Sequence, residues 1–305
     1  MTRRTFRRLV GVFLLIIAGM LYVTRPERVD TSAIPAHEPD LSNGEHMFWA
    51  GGCASCHAAP GAEGDAKLVL AGGVELDTPF GLFRVPNISP DAAHGIGGWS
   101  QADFLTAMTK GTSPRGEHYY PAFPYTSYKN MRSEDLLDLK AFLDTLPTSQ
   151  NAVAGHDLSF PFSWRGALGF WKFLYLGGEP PAVAADASDA VKRGAYLLAG
   201  PGHCAECHTP RDVFGGLDRS RWLAGGPNPD GKGTIPNITP APDGIGSWSA
   251  KDIAYYLETG FTPEFDSVGG GMASVQQNWA KLPADYREAI AAYLKTVQAV
   301  AGEKK

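Results

Sequence analysis

Cys53-Ala-Ser-Cys56-His57 and Cys204-Ala-Glu-Cys207-His208 are two copies of one five-residue pattern, and together they hold all four cysteines of the 305-residue chain. C-x-x-C-H is the attachment sequence for c-type haem. The two thiols add across the haem vinyl groups, and the histidine beside the second thiol ligates the iron. A two-residue gap sets the sulfurs at the vinyl positions and swings the imidazole under the metal. A thioredoxin-type cysteine pair does not call for the following histidine. A four-cysteine zinc site would have to join motifs about 150 residues apart and would leave both histidines unexplained. The expectation is two covalently bound haem c groups, held by Cys53, Cys56, Cys204 and Cys207, with His57 and His208 as axial ligands. No cysteine is left over for a disulfide.

Outward from the motifs the sequence repeats. Gly44-Glu-His-Met-Phe-Trp49 precedes the first motif and Arg193-Gly-Ala-Tyr-Leu-Leu198 the second. Pro86-Asn-Ile-Ser-Pro90 and Pro236-Asn-Ile-Thr-Pro240 follow, then Gly95-Ile-Gly-Gly-Trp-Ser100 and Gly244-Ile-Gly-Ser-Trp-Ser249. Ser100-x-x-Asp103 and Ser249-x-x-Asp252 read as capped helix starts. Each copy closes on a helical pattern, Leu136, Leu137, Leu139, Phe142 and Leu143 in one, Ile290, Tyr293, Leu294 and Val297 in the other. Each therefore has a helix before the motif, a Gly/Pro-rich wrap, a middle helix and a terminal helix. Little alternating strand pattern appears, and 36 glycines and 23 prolines suit loops held by a cofactor.

The fold class expected is all-α. Two tandem units, residues 41–149 and 188–300, resemble class I cytochrome c domains. Between them, residues 150–187 carry Phe160-Pro-Phe-Ser-Trp-Arg165 and Phe170-Trp-Lys-Phe-Leu-Tyr-Leu176, too aromatic for a flexible linker. This segment reads as a strap packed on one or both units. Residues 1–28 begin with an arginine-rich stretch and an apolar run from Leu9 to Val23. That is an export signal or a retained N-terminal membrane anchor, with everything after Arg25 outside the cytoplasm. Thr24-Arg25-Pro26-Glu27 offers no small-x-small cleavage site, which favours the anchor.

The formal net charge is −5, and residues 1–28 contribute six arginines and one glutamate, so the remainder carries −10. An acidic exported chain argues against nucleic acid as a partner and is compatible with docking on a basic redox protein.

The sixth iron ligand sets the chemistry: methionine raises the potential, histidine lowers it, and an open site permits ligand binding. After His208 the only methionine is Met272, in Gly269-Gly-Gly-Met272, and it is the expected ligand of the second haem. The first copy differs. At an offset of 149 residues, Met272 falls opposite Phe123, which cannot ligate iron. Met131 is the expected donor there, with an open site, His118, His94 and Met108 as alternatives.

His203-Cys-Ala-Glu-Cys-His-Thr-Pro-Arg211, Pro236-Asn-Ile-Thr-Pro240, Gly244-Ile-Gly-Ser-Trp-Ser249 and Tyr120-Pro-Ala-Phe-Pro-Tyr125 resemble the cytochrome c subunits of bacterial membrane-bound alcohol, aldehyde and gluconate dehydrogenases. The resemblance runs from about Leu41 to Val300. It implies periplasmic electron transfer, with a quinoprotein, flavoprotein or molybdoprotein dehydrogenase as donor. Quinone, another cytochrome or a terminal oxidase would be the acceptor. Those subunits usually carry three haems and a C-terminal membrane helix, whereas this chain has two motifs and the polar end Gly302-Glu-Lys-Lys305. The family also often has Met where Phe123 stands.

The leading expectation is an electron carrier with no catalytic activity of its own. The alternatives are a dihaem enzyme, peroxidase-like or thiosulfate-oxidising, with an open first haem served by His118 or Glu117, and a dihaem subunit of a terminal oxidase.

Overall fold

The computed structural model describes residues 2–228 and 233–302, so the last polar residues, Glu303–Lys305, lie outside it. The chain is predominantly helical, at 43%. Helix α1 (Arg3–Val23) projects from the body with no buried residue. Then come α2 (Leu41–Ala50), α3 (Cys53–His57), strands β1 (Glu75–Thr78) and β2 (Gly81–Arg84), α4 (Gln101–Lys110), α5 (Tyr125–Tyr128) and α6 (Ser133–Asp144). Strand β3 (Asp157–Leu158) and helix α7 (Gly166–Tyr175) follow. The second half has α8 (Asp189–Ala199), α9 (Cys204–His208), β4 (Gly226–Pro227), β5 (Thr234–Ile235), α10 (Ala250–Thr259), α11 (Gly271–Trp279) and α12 (Ala284–Leu294).

The helix before each motif crosses the terminal helix of its own half, α2 on α6 and α8 on α12. Both crossings are set by a glycine. A Cβ on Gly44 would stand 2.2 Å from the carbonyl oxygen of Asp138, and one on Gly194 would stand 1.9 Å from that of Ala289. Only hydrogen at these positions lets the backbones meet, which is why both helices tolerate a residue that weakens them.

The middle helices begin as the sequence predicts. In both α4 and α10 the serine N-cap accepts from the backbone N–H three residues on, and the aspartate there returns a bond to the cap N–H. Both end on a glycine in the left-handed region, Gly111 (φ 56°) and Gly260 (φ 80°).

Two features go beyond the three helices expected in each half. A three-stranded antiparallel sheet orders β1-β2-β3, and β4 pairs β5. These ribbons are two to four residues long, too short to show an alternating pattern. Helices α5 and α11 precede the terminal helices. Their aromatic and glycine-rich sequences carry little helical signal.

Segment 150–187 packs on both halves. Lys172 of α7 is buried against the first, donating to the carbonyl of Gly111 (3.1 Å), to Thr112 Oγ1 (3.2 Å) and to His118 Nδ1 (3.0 Å). Burial lowers its pKa to about 8. Trp171 Nε1 donates to the carbonyl of Phe214 (2.9 Å) and Tyr175 Oη to Asp212 (2.8 Å), both in the second half.

Candidate functional site

Each C-x-x-C-H sequence forms one short helix, α3 or α9, entered through a left-handed residue: Gly52 (φ 60°) or His203 (φ 39°). The turn brings both sulfurs and the imidazole of a motif to one side of the chain. Among the described residues no disulfide joins the four cysteines. Burial, then the neighbouring thiol, pushes Cys53 and Cys204 up to about 12. Unattached, these are neutral thiols.

The repeated Pro-Asn-Ile-Ser/Thr-Pro segments explain themselves here. His57 Nδ1 donates to the carbonyl of Pro86 (2.8 Å) and His208 Nδ1 to that of Pro236 (2.9 Å). The bond fixes the tautomer and leaves Nε2, with its lone pair, as the metal-binding nitrogen. Burial lowers the pKa of both imidazoles, keeping them neutral as ligation requires. The asparagine after each proline clamps the loop. Asn87 Nδ2 donates to the carbonyls of Ser149 (2.7 Å) and Asn151 (3.1 Å) beyond α6. Asn237 Nδ2 donates to that of Val300 (2.8 Å) beyond α12, and its Oδ1 accepts from Thr239 N and Oγ1, both at 2.8 Å. Asn237→Ala is therefore expected to cost about 1–3 kcal/mol, read as a lower denaturation midpoint of the haem-loaded protein.

The residues fit porphyrin iron. Among the described residues no three His, Cys, Asp or Glu side chains gather to hold a metal unaided. The donor offered is one histidine per motif, which suits a metal whose equatorial ligands come with it. The buried Trp222 Nε1 makes no well-formed hydrogen bond, only a contact with the Tyr293 hydroxyl. A haem propionate is an acceptor that would complete it. Beside Gly269, Gly270 and Gly271, immediately before Met272, a Cβ would meet nothing within 4 Å.

A scan against family models matches cytochrome c over residues 41–147. A dihaem c-type cytochrome from Cereibacter sphaeroides is 57% identical over 292 residues, which cover 95% of this chain and 97% of that protein. The chain belongs to the dihaem c-type cytochromes. The cytochrome is also 36% identical to the fructose dehydrogenase cytochrome subunit of Gluconobacter japonicus, over 94% of its own length and 58% of that subunit. It is 35% identical to the cytochrome c subunit of the quinone-dependent alcohol dehydrogenase of Gluconobacter oxydans, over 87% of its length and 56% of the relative. The chain thus spans a little over half the length of both dehydrogenase subunits.

The sixth-ligand candidates fall in different places. Met272 lies in the first turn of α11, half-buried and packed against the core. The loop before it matches the first half bond for bond. Val268 N donates to the Gly260 carbonyl (2.7 Å) as Tyr119 N does to that of Gly111 (2.8 Å), and four residues on stand Met272 and Phe123. Phe123 is ringed by Tyr119, Tyr125 and Tyr128, with centroids 5.7–6.3 Å away. Met131 lies beyond this loop, buried at 7% exposure. Its Cγ is 3.4 Å from where a Cβ on Gly200 would sit, in the other half. Its counterpart before α12 is the core residue Leu282. Both nitrogens of His118 are engaged, Nε2 donating to the carbonyl of Thr24 (3.0 Å) and Nδ1 accepting from Lys172. His94 is bonded to Asp91 near the surface, and Met108 is core on α4.

One site residue is not singled out by the sequence. Glu206, inside the second motif, is buried and accepts from Thr126 Oγ1 (2.5 Å), Ser127 Oγ (2.8 Å) and Arg211 (2.8 Å). Arg211, which Glu206 holds through both carboxylate and backbone carbonyl, and the bonds from Thr126 and Ser127 keep its carboxyl below the usual range despite burial. The only signal is a charged residue where the first motif has Ser55. The contact has a mirror image: Asn278 Nδ2 donates to Ser55 Oγ at 2.8 Å. Tyr196 Oη bonds Asp135 as Tyr286 Oη meets His46 Nδ1. Such reciprocal pairs mark an interface with approximate two-fold symmetry. At its centre His203 Nε2 donates to the carbonyl of Gly51 (3.2 Å), joining the approaches to the two attachment helices.

Proposed function

We propose that this chain is an exported dihaem electron carrier. It is read as two tandem class I cytochrome c domains, 41–149 and 188–300, bridged by the strap 150–187 and led by 1–28 as signal or membrane anchor. The single observation that carries this is the pair of attachment helices, each with its imidazole locked on a proline carbonyl, meeting through His203 and Gly51. Cys53, Cys56, Cys204 and Cys207 are the attachment thiols, and His57 and His208 the axial imidazoles. Haem c, when bound, supplies a one-electron iron couple. The chain joins each attachment helix to the other half through Glu206, Thr126, Ser127 and Asn278, holds both imidazoles neutral, and offers Met272 as the second site's thioether.

The likeness to dehydrogenase cytochrome subunits supports a periplasmic dehydrogenase as donor, and quinone, a further cytochrome or a terminal oxidase as acceptor. The acidic body suits a basic docking face.

A second reading is favoured by Phe123. With a ring where the second half has Met272, and Met131 packed on Gly200, the first haem is the more open of the two. His118 offers no free nitrogen for acid–base chemistry there, and Glu117 is half-exposed beside Arg115 (3.8 Å), so the opening supports ligand binding rather than a peroxidase-like reaction.

The test is a carbon monoxide titration of the reduced, haem-loaded chain, with the haem count taken from its mass. Two haems, one of which binds carbon monoxide, are expected, and Met131→Leu should leave the optical spectrum unchanged. Two low-spin haems that ignore carbon monoxide, with one becoming high-spin in Met131→Leu, would return Met131 to the ligand position.

A further inference from the structure

Helix α7 is inside out for a protein surrounded by water. Its charged Lys172 is 7% exposed, while Phe170 and Phe173 on the opposite side are 49% and 59% exposed. Nearby, Phe160, Trp164 and Phe214 stand out at 82%, 64% and 71%. A scattered exposed ring needs no explanation, but a cluster of this kind marks a contact surface. Its place in the fold says what covers it. A Cβ on Gly169 would lie 2.2 Å from the carbonyl oxygen of Thr24, the residue that ends α1. Helix α1 has 21 residues, and an 18-residue stretch of it is apolar enough to cross a bilayer, about 27 Å at the usual rise against a hydrocarbon core of about 30 Å. Where α1 leaves such a core, Thr24 sits at the headgroup boundary, and α7 touches it there. Phe170 is the next residue after Gly169, and Phe173 is one turn on. Arg25 stacks on Tyr22 at the same level (3.8 Å), a pairing of cation and aromatic suited to that boundary.

We propose that the aromatic strap is a membrane-surface element: α7 and the Phe160–Trp164 turn lie in the headgroup–acyl boundary of the bilayer that α1 crosses. The cytochrome then has two attachments, a span and an interfacial face. Two attachments remove the free swivel of a single tether and present both haem sites at a fixed height and tilt. The inference rests on the reading of α1 as a retained anchor.

The full-length, haem-loaded chain is reconstituted in phosphatidylcholine vesicles containing a photoreactive phosphatidylcholine with a diazirine high on its acyl chain. Labelled peptides are mapped by mass. Label is expected on α1 and on residues 160–174. The double variant Phe170→Ser/Phe173→Ser should cut the strap label by about fivefold or more, with α1 label and haem spectrum unchanged. Label on α1 with the strap no more labelled than buried α12 overturns the inference, and leaves a protein partner as the occupant of this face. A mature chain whose mass lacks residues 1–23 overturns the anchor reading instead. In that case strap label on protein that co-sediments with vesicles supports the interfacial face, and its absence overturns it.

Discussion

Gly194→Ala is expected to lower the thermal midpoint of the haem-loaded cytochrome by about 4–8 °C, with Gly44→Ala close behind. The added Cβ would lie 1.9 Å from the carbonyl oxygen of Ala289 and 2.8 Å from Tyr293 Cβ. The first of these is helix backbone, so no rotamer change relieves it, and α8 must lift off α12. In the first half the matching distances are 2.2 Å to Asp138 O and 2.8 Å to Phe142 Cβ. Overpacking costs typically about 1–3 kcal/mol, and a clash with backbone belongs at or above the top of that range. Alanine's better helix propensity returns only about 1 kcal/mol. The control is Gly155→Ala, where a Cβ meets nothing within 4 Å and φ is not positive, so the midpoint should not move. The crossing also positions chemistry, because only four residues separate the end of α8 from Cys204. A loosened crossing should show as earlier loss of the Soret band on heating, and a midpoint equal to the control would mean that the crossing has room the distances deny.

What could be read from the chain and what could not divides along range of interaction. Cys53–His57 and Cys204–His208 announce their ligand because the chemistry needs five consecutive residues. The Ser100/Asp103 and Ser249/Asp252 caps are equally local, and both form. The Pro-Asn-Ile-Ser/Thr-Pro repeats are visible as repeats, but their work is not. That Pro86 and Pro236 take the imidazole protons depends on a loop returning 28 or 29 residues later. Gly44 and Gly194 look like ordinary helix weaknesses until the crossing helix is in place. Glu206 is the extreme case: its partners Thr126 and Ser127 lie about 80 residues away in the other half. Composition does flag the strap as more than a linker, yet only the structure shows that its lysine faces inward and its phenylalanines outward.

Met272→Ala is expected to change one haem and leave the other alone. The substitution removes the thioether proposed as the second iron's sixth ligand, so one iron should become five-coordinate and high-spin. Carbon monoxide stoichiometry should rise from one to two per chain, and the second haem's potential should fall by on the order of a few hundred mV, within the roughly 0.8 V that axial ligands span. A methionine that merely packs gives a different result. Met272 touches the core, and truncating a packed methionine costs about 2–5 kcal/mol without altering the spectrum. Spin state and carbon monoxide binding therefore separate ligation from packing, whereas a melting curve does not. Ligation is the reading proposed, since Met272 is the second residue of a helix whose N-cap, Gly270, has φ 57° and ψ −146°, a conformation open chiefly to glycine. The first half has Pro-Ala-Phe-Pro at the same place, with no such freedom and no sulfur. Phe123→Met in the wild-type background is the converse experiment. Its ring is hemmed by three tyrosines, and a flexible thioether of smaller width fits the space. Carbon monoxide binding should fall from one per chain to none, making the two irons alike in ligation. A Met272→Ala spectrum identical to wild type would remove the thioether from the second site, and with it the stated difference between the two irons.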